Sequence, residues 1–161
     1  MAVSLKWCCN KKDGIRLIEQ NENLSLGYMQ MVENAIGTMN REKNLNLQFA
    51  ISACYYSMYY SLYSILMKIG VKCEIHTCTI EFMKQLLIDF YSKEDYKIIV
   101  KAFNTRNTSQ YYVDKIIPKE DVNFIFSEAV PFFNKSKEIL SKINEKDILK
   151  VRKEIESSIK S

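Results

Sequence analysis

The stretch FAISACYYSMYYSLYSILM, residues 49–67, decides the fold. It contains no Asp, Glu, Lys or Arg and is long enough to be taken for a membrane span. That reading fails on polarity. Tyr55, Tyr56, Tyr59, Tyr60 and Tyr63, with Ser52, Ser57, Ser61 and Ser64, are too polar for hydrocarbon, and charged amphipathic segments lie on either side. A helix without a polar face belongs in the middle of a bundle. Ala50, Ala53, Cys54, Ser57, Ser61 and Ser64 recur every three or four positions, a narrow stripe on which another helix can sit closely. Tyr55, Tyr59 and Tyr63 face the other way, and their hydroxyls need partners if buried. The pattern fits a packed core helix, with a self-association surface as the alternative.

The rest of the chain supplies the other helices. A length of 161 residues suits one domain, and 4 Gly and 2 Pro, against about 11 and about 8 at average usage, leave few tight turns. No alternating Val/Ile/Thr run competes as a strand. Asn21 or Asn23 can cap a helix over about residues 23–41, where Leu24, Tyr28, Met31, Val32, Ala35, Ile36 and Met39 recur at helical spacing. The charge-free helix runs over about 45–69 and closes at Gly70. A third is predicted over about 77–91 and a fourth over about 93–112, capped by Ser92 with an acidic residue three positions on. A fifth starts at Pro118, and Pro131 is expected to kink or break it.

The expected fold is therefore all-α, an antiparallel up-and-down bundle of four to five helices. Residues 1–21 form an extended lead-in, 22–142 the bundle, and 143–161 a charged helical extension that either docks or frays. Its thin apolar stripe is Ile148, Val151, Ile155 and Ile159.

The net charge of +4, with 23 basic and 19 acidic residues, is spread along the chain and fits a mixed solvated surface better than a basic nucleic-acid footprint. Five cysteines (Cys8, Cys9, Cys54, Cys73, Cys78) are an odd number and no secretory signal opens the sequence, so a reducing cytoplasm is expected. Cys73, His76 and Cys78 match no zinc spacing and lack a fourth ligand, so neither metal nor cofactor is expected.

The fourth helix carries the anomaly. Tyr96, Ile99, Val100 and Phe103 form its apolar stripe, and helical steps continue that stripe through Arg106, Asn107 and Gln110 towards Tyr111 and Tyr112. A guanidinium and two amides beside an apolar seam lose hydration unless something satisfies them. One reading pairs Arg106 with a carboxylate on a neighbouring helix. The other is a site where Arg106 grips a phosphate bidentately while Asn107 and Gln110 orient it or bond a base, equipment suited to RNA or a nucleotide.

The stretch from about Asn23 to Leu140 resembles the HEPN domain family of bacteria and archaea. The resemblance is carried by Ala53-Cys54-Tyr55-Tyr56-Ser57-Met58-Tyr59-Tyr60, by Glu74-Ile75-His76-Thr77, and by Phe103-Asn104-Thr105-Arg106-Asn107 through Tyr111-Tyr112. It implies a dimerising four-helix bundle of the small stand-alone kind. Many of these are paired with a minimal nucleotidyltransferase as toxin and antitoxin, the toxin being a metal-independent ribonuclease. The family signature is an Arg, usually followed by a polar residue such as Asn, with a His about five positions after the Arg. Arg106 and Asn107 match it, but Tyr111 stands where the His is expected, and a phenol titrating near ~10 is a poor base at neutral pH.

His76 could supply the missing acid or base if the start of the third helix approaches Arg106. The resemblance thus implies Arg106, Asn107, Tyr111 and His76 as catalytic candidates and Arg106, Asn107, Gln110 and Tyr112 as RNA or nucleotide contacts. It also implies a homodimer and a nucleotidyltransferase partner, while the polarity of residues 49–67 leaves no membrane contact expected. A non-catalytic nucleotide- or RNA-binding helper subunit, or a structural helical interaction module, are the alternatives.

Overall fold

The computed structural model describes residues 2–160, so the outermost residue of the lead-in and of the C-terminal extension falls outside it. The chain is an all-α helical bundle in the order α1 (Leu5–Cys9), β1 (Arg16–Leu17), α2 (Glu22–Glu42), α3 (Leu47–Ile69), β2 (Val71–Lys72), α4 (His76–Leu86), α5 (Lys93–Tyr111), α6 (Lys119–Lys142) and α7 (Glu145–Lys160).

Helix boundaries follow local chemistry. Asn21 and Asn46 accept hydrogen bonds from Leu24 and Phe49 amides and start α2 and α3. Ser92 and Asp95 form a reciprocal capping box at α5. Gly70 ends α3 at φ 87°, and a Cβ there would meet the Ile18 carbonyl at 2.6 Å, so only glycine fits.

The charge-free helix α3 is central, packing against α2, α5 and α6. Pairings of Ser25 with Ser64, Arg106 with Tyr56 and Gln48 with Ser109 show that α2 and α5 run antiparallel to it. Cys54 with Ile125 and Lys68 with Leu140 show α6 running parallel to it, as an up-and-down bundle requires. The small stripe is wholly buried: the Ser64 hydroxyl donates to the Ser25 carbonyl at 2.6 Å on α2, and the Cys54 thiol to the Ile125 carbonyl at 3.2 Å on α6. Burial pushes the Cys54 thiol up to about 12.

Several expectations are corrected. The lead-in is not wholly extended: Ser4 caps the short α1, and Arg16 and Leu17 pair antiparallel with Lys72 and Val71. The third helix stops at Leu86 instead of running to about residue 91, because the turn that follows buries both Leu87 and Tyr91, and the Tyr91 hydroxyl bonds Ser136 at 2.6 Å. Helix α6 continues through Pro131 without a break; this proline is exposed, on the solvent side of the helix.

On α5, the fully buried positions are Ile99 and Ala102, with Tyr96, Val100 and Phe103 half-buried. The C-terminal extension docks: Ile148, Val151 and Ile155 are buried, and Arg152 Nη1 donates to the carbonyls of Ile18, Ile69 and Gly70. The cysteines are not all reduced, since Cys8 on α1 is bonded to Cys78 on α4 while Cys9, Cys54 and Cys73 are buried thiols. Among the described residues, no helix is long and apolar enough to cross a membrane.

Candidate functional site

Following α5 past Ala102, the buried face reaches Thr105, 8% exposed, and then Arg106. The packing of α5 on α3 sets this guanidinium against the tyrosine side of α3, its central carbon 5.3 Å from the Tyr55 ring centre and 5.4 Å from that of Tyr56. Nη2 donates to the Tyr56 hydroxyl at 2.9 Å and Nη1 to Asn107 Oδ1 at 2.7 Å. Nε is buried with no hydrogen-bond partner. Among the described residues no acid pairs with Arg106, which removes the carboxylate-pair reading. That orphaned N–H on a charged group costs at least about 1–3 kcal/mol, and the second hydrogens of Nη1 and Nη2 are the donors left for an anionic acceptor.

His76 is the first residue of α4, entered from Ile75, which provides no side-chain cap. The positive end of the helix dipole therefore adds to the attraction for an anion. The Tyr55 hydroxyl lies 2.8 Å from His76 Nδ1, and the imidazole stacks on Tyr59 at 4.2 Å with 9° between planes. Burial, followed by the positive charge of Arg106, holds the imidazole below its usual value of 6.5, so it is neutral at pH 7. Burial likewise drives the Tyr55 phenol well above the usual tyrosine value, which keeps it a hydroxyl.

His76, Phe103, Arg106, Asn107, Tyr111 and Tyr112 line one open cavity of about 520 Å³. Five of the six residues named from the sequence therefore meet there, although His76 comes from another helix. Gln110 does not: it is exposed and outside the lining, one step too far round α5. Tyr111 and Tyr112 are 65% and 50% exposed at the rim. Sequence reasoning missed the roles of Tyr55 and Tyr56, which hold the imidazole and the guanidinium. The signal was the tyrosine run itself, whose hydroxyls needed partners.

An all-α bundle with an arginine, a neutral histidine and exposed aromatic rings around one cavity is the class that this geometry defines. No family model matches the chain. It is similar to "Putative toxin MJ0142" of Methanocaldococcus jannaschii, 28% identical over an aligned stretch of 120 residues covering 69% of this chain and 80% of that protein.

Proposed function

We propose that this protein is the HEPN-type toxin of a toxin and antitoxin pair, cleaving RNA without a metal at the Arg106 cavity. The observation that carries this reading is an Arg106 guanidinium with no acidic partner, one hydrogen left on each Nη, lining the same acid-free cavity as a neutral histidine. The similarity to a protein named as a toxin adds support, as do the motif residues Arg106 and Asn107.

Arg106 binds the scissile phosphate and stabilises the charge that grows on its oxygens in the transition state. Asn107 positions the guanidinium through the Nη1 bond. In the tautomer whose Nδ1–H donates to the Tyr55 oxygen, His76 presents Nε2 as the base. It takes the proton of the ribose 2′-hydroxyl as that oxygen attacks phosphorus. The bond to the 5′-oxygen breaks, leaving a 2′,3′-cyclic phosphate, and Tyr111 at the rim gives the departing oxygen its proton. Tyr112 stacks against a base. His76 thus replaces the histidine missing at position 111, reaching the same phosphate from another helix. Dimerisation and a nucleotidyltransferase antitoxin belong to the same proposal and follow from the family resemblance.

The test is cleavage of single-stranded RNA in a chelator. Arg106→Ala and His76→Ala are each expected to lower the rate by about 10²–10⁴-fold. Cleavage that is unchanged by Arg106→Ala overturns the site. Binding of RNA with no cleavage by the wild type favours the helper-subunit alternative.

A further inference from the structure

Beside the Arg106 cavity, α4 and α5 enclose a second one of about 310 Å³. The two are adjacent, since Phe103 and Asn107 line both. Its walls are apolar at Ile80, Val100 and Phe103, and it holds a buried acid, Glu81, which is only 8% exposed. Gln85 Nε2 donates to Glu81 Oε1 at 2.8 Å, and among the described residues no donor bonds Oε2, which is not sealed from solvent. No cation among the described residues forms an ion pair with this carboxylate. The nearby Lys84 instead sits over the Tyr96 ring at 5.3 Å.

A carboxylate in the wall of a largely apolar cavity, with one oxygen free of protein donors, is open to hydrogen-bond donors from a ligand. Asn107 adds the opposite capacity. Its Oδ1 is committed to Arg106, which can only donate, so its Nδ2 hydrogens are left to face a ligand. Asn104, in the same lining, makes no side-chain bond to the protein and offers another amide.

We propose that this cavity is a nucleobase subsite selective for guanine, adjacent to the phosphate at Arg106. Guanine presents two neighbouring donors, N1–H and the 2-amino group, to one carboxylate; Oε1 keeps a lone pair beyond the one used by Gln85. The amides of Asn104 and Asn107 serve the O6 and N7 acceptors. Adenine and cytosine place a ring acceptor beside their amine, which the carboxylate repels, and uracil has a single donor flanked by two carbonyls. Phe103 and Ile80 supply the flat apolar walls that a base plane requires. The volume is in the range of small-molecule sites. This inference rests on the RNA reading of the neighbouring cavity for its biological meaning, and deepens it by naming a base preference next to the scissile phosphate.

The test separates the two. Guanosine, inosine, uridine and inorganic phosphate are titrated separately into the full chain, followed by calorimetry or amide chemical shifts. Guanosine is expected to bind about 10-fold or more tightly than uridine, and inosine, which lacks the 2-amino group, to lose most of that advantage. E81Q abolishes the guanosine preference and leaves phosphate binding intact; R106A does the reverse. Equal affinity for guanosine and uridine, a preference that survives E81Q, or phosphate binding with no guanosine binding overturns the subsite while sparing the Arg106 reading. Guanosine binding with no phosphate response overturns the Arg106 reading alone. The nucleoside comparison on the wild type decides the matter even where E81Q fails to fold.

Discussion

Replacing Arg106 by Met is expected to leave stability almost unchanged while abolishing the response of the fold to phosphate. The substitution removes two hydrogen bonds, to the Tyr56 hydroxyl at 2.9 Å and to Asn107 Oδ1 at 2.7 Å, each worth a net ~0.5–1.5 kcal/mol. It also removes the attraction of the guanidinium to the Tyr55 and Tyr56 rings, ~0.5–1 kcal/mol. Against these stands relief of the buried, unpaired Nε, ~1–3 kcal/mol. Tyr56 and Asn107 are half-buried and can turn to water, and the Met stem keeps much of the ring contact. The terms offset to within ~1 kcal/mol, or ~2–4 °C in Tm for a chain of this size. Thermal unfolding followed by circular dichroism, with and without inorganic phosphate, is the assay. Phosphate at 100 times its Kd adds ~2.7 kcal/mol to the wild type by mass action, whereas the Met variant shows only the general stabilisation that an excluded anion gives. A loss above ~3 kcal/mol in the variant would show Arg106 to be a structural strut, and equal phosphate shifts in both proteins would remove it from anion binding.

The other predictions concern the scaffold and the histidine. The Cys8–Cys78 bond closes a sequence separation of 70, so Cys8→Ser or reduction is expected to lower stability by roughly 4 kcal/mol, read as a drop in the denaturant midpoint; an unchanged midpoint refutes it. Because the His76 pKa is lowered, the folded state binds fewer protons than the unfolded chain just below 6.5. Stability should therefore fall with acidification through that region in the wild type, and the difference from His76→Gln should flatten above ~6.5; parallel profiles argue against a buried neutral imidazole. Under the proposed ribonuclease reading, the same sign puts the acid limb of cleavage below pH ~6.5. Arg152→Ala should lower Tm by several degrees and loosen α7, since one Nη1 serves the Ile18, Ile69 and Gly70 carbonyls; hydrogen exchange at the end of α3 reports it, and unchanged protection refutes it.

What could be read from the sequence was whatever the chain decides within a turn or two. Asn21, Ser92 and Gly70 act on their own neighbours, so the ends they set were legible, and the absence of charge from 49 to 67 placed α3 at the centre. The end of α4 was not legible, because the turn after it buries Leu87 and Tyr91 in the core, where the Tyr91 hydroxyl bonds Ser136 on distant α6. The Cys8–Cys78 pair and the Arg152 clamp were hidden for the same reason: nothing local distinguishes Cys78 from Cys73, or Arg152 from the lysines around it.

The candidate site shows both cases at once. Arg106 and Asn107 stood out because a polar turn interrupts an apolar stripe, which is local information. Gln110 was carried along by the same helical step, yet α5 is too near its end for packing to hold that position against the bundle, and it faces solvent. His76 could be assigned only by knowing that α3 presents Tyr55 and Tyr56 to two different helices, one ring bonding the imidazole and the next the guanidinium. Those adjacent tyrosines couple α4 to α5: moving either helix by the width of a side chain breaks one bond and exposes the orphaned Nε. Tyr55→Phe removes the hydroxyl that bonds His76 Nδ1 and neither hydrogen bond of Arg106, so it is expected to move the His76 titration further below its usual value, the imidazolium having lost an acceptor. A His76 resonance that titrates identically in both proteins would show that the two helices position their side chains independently.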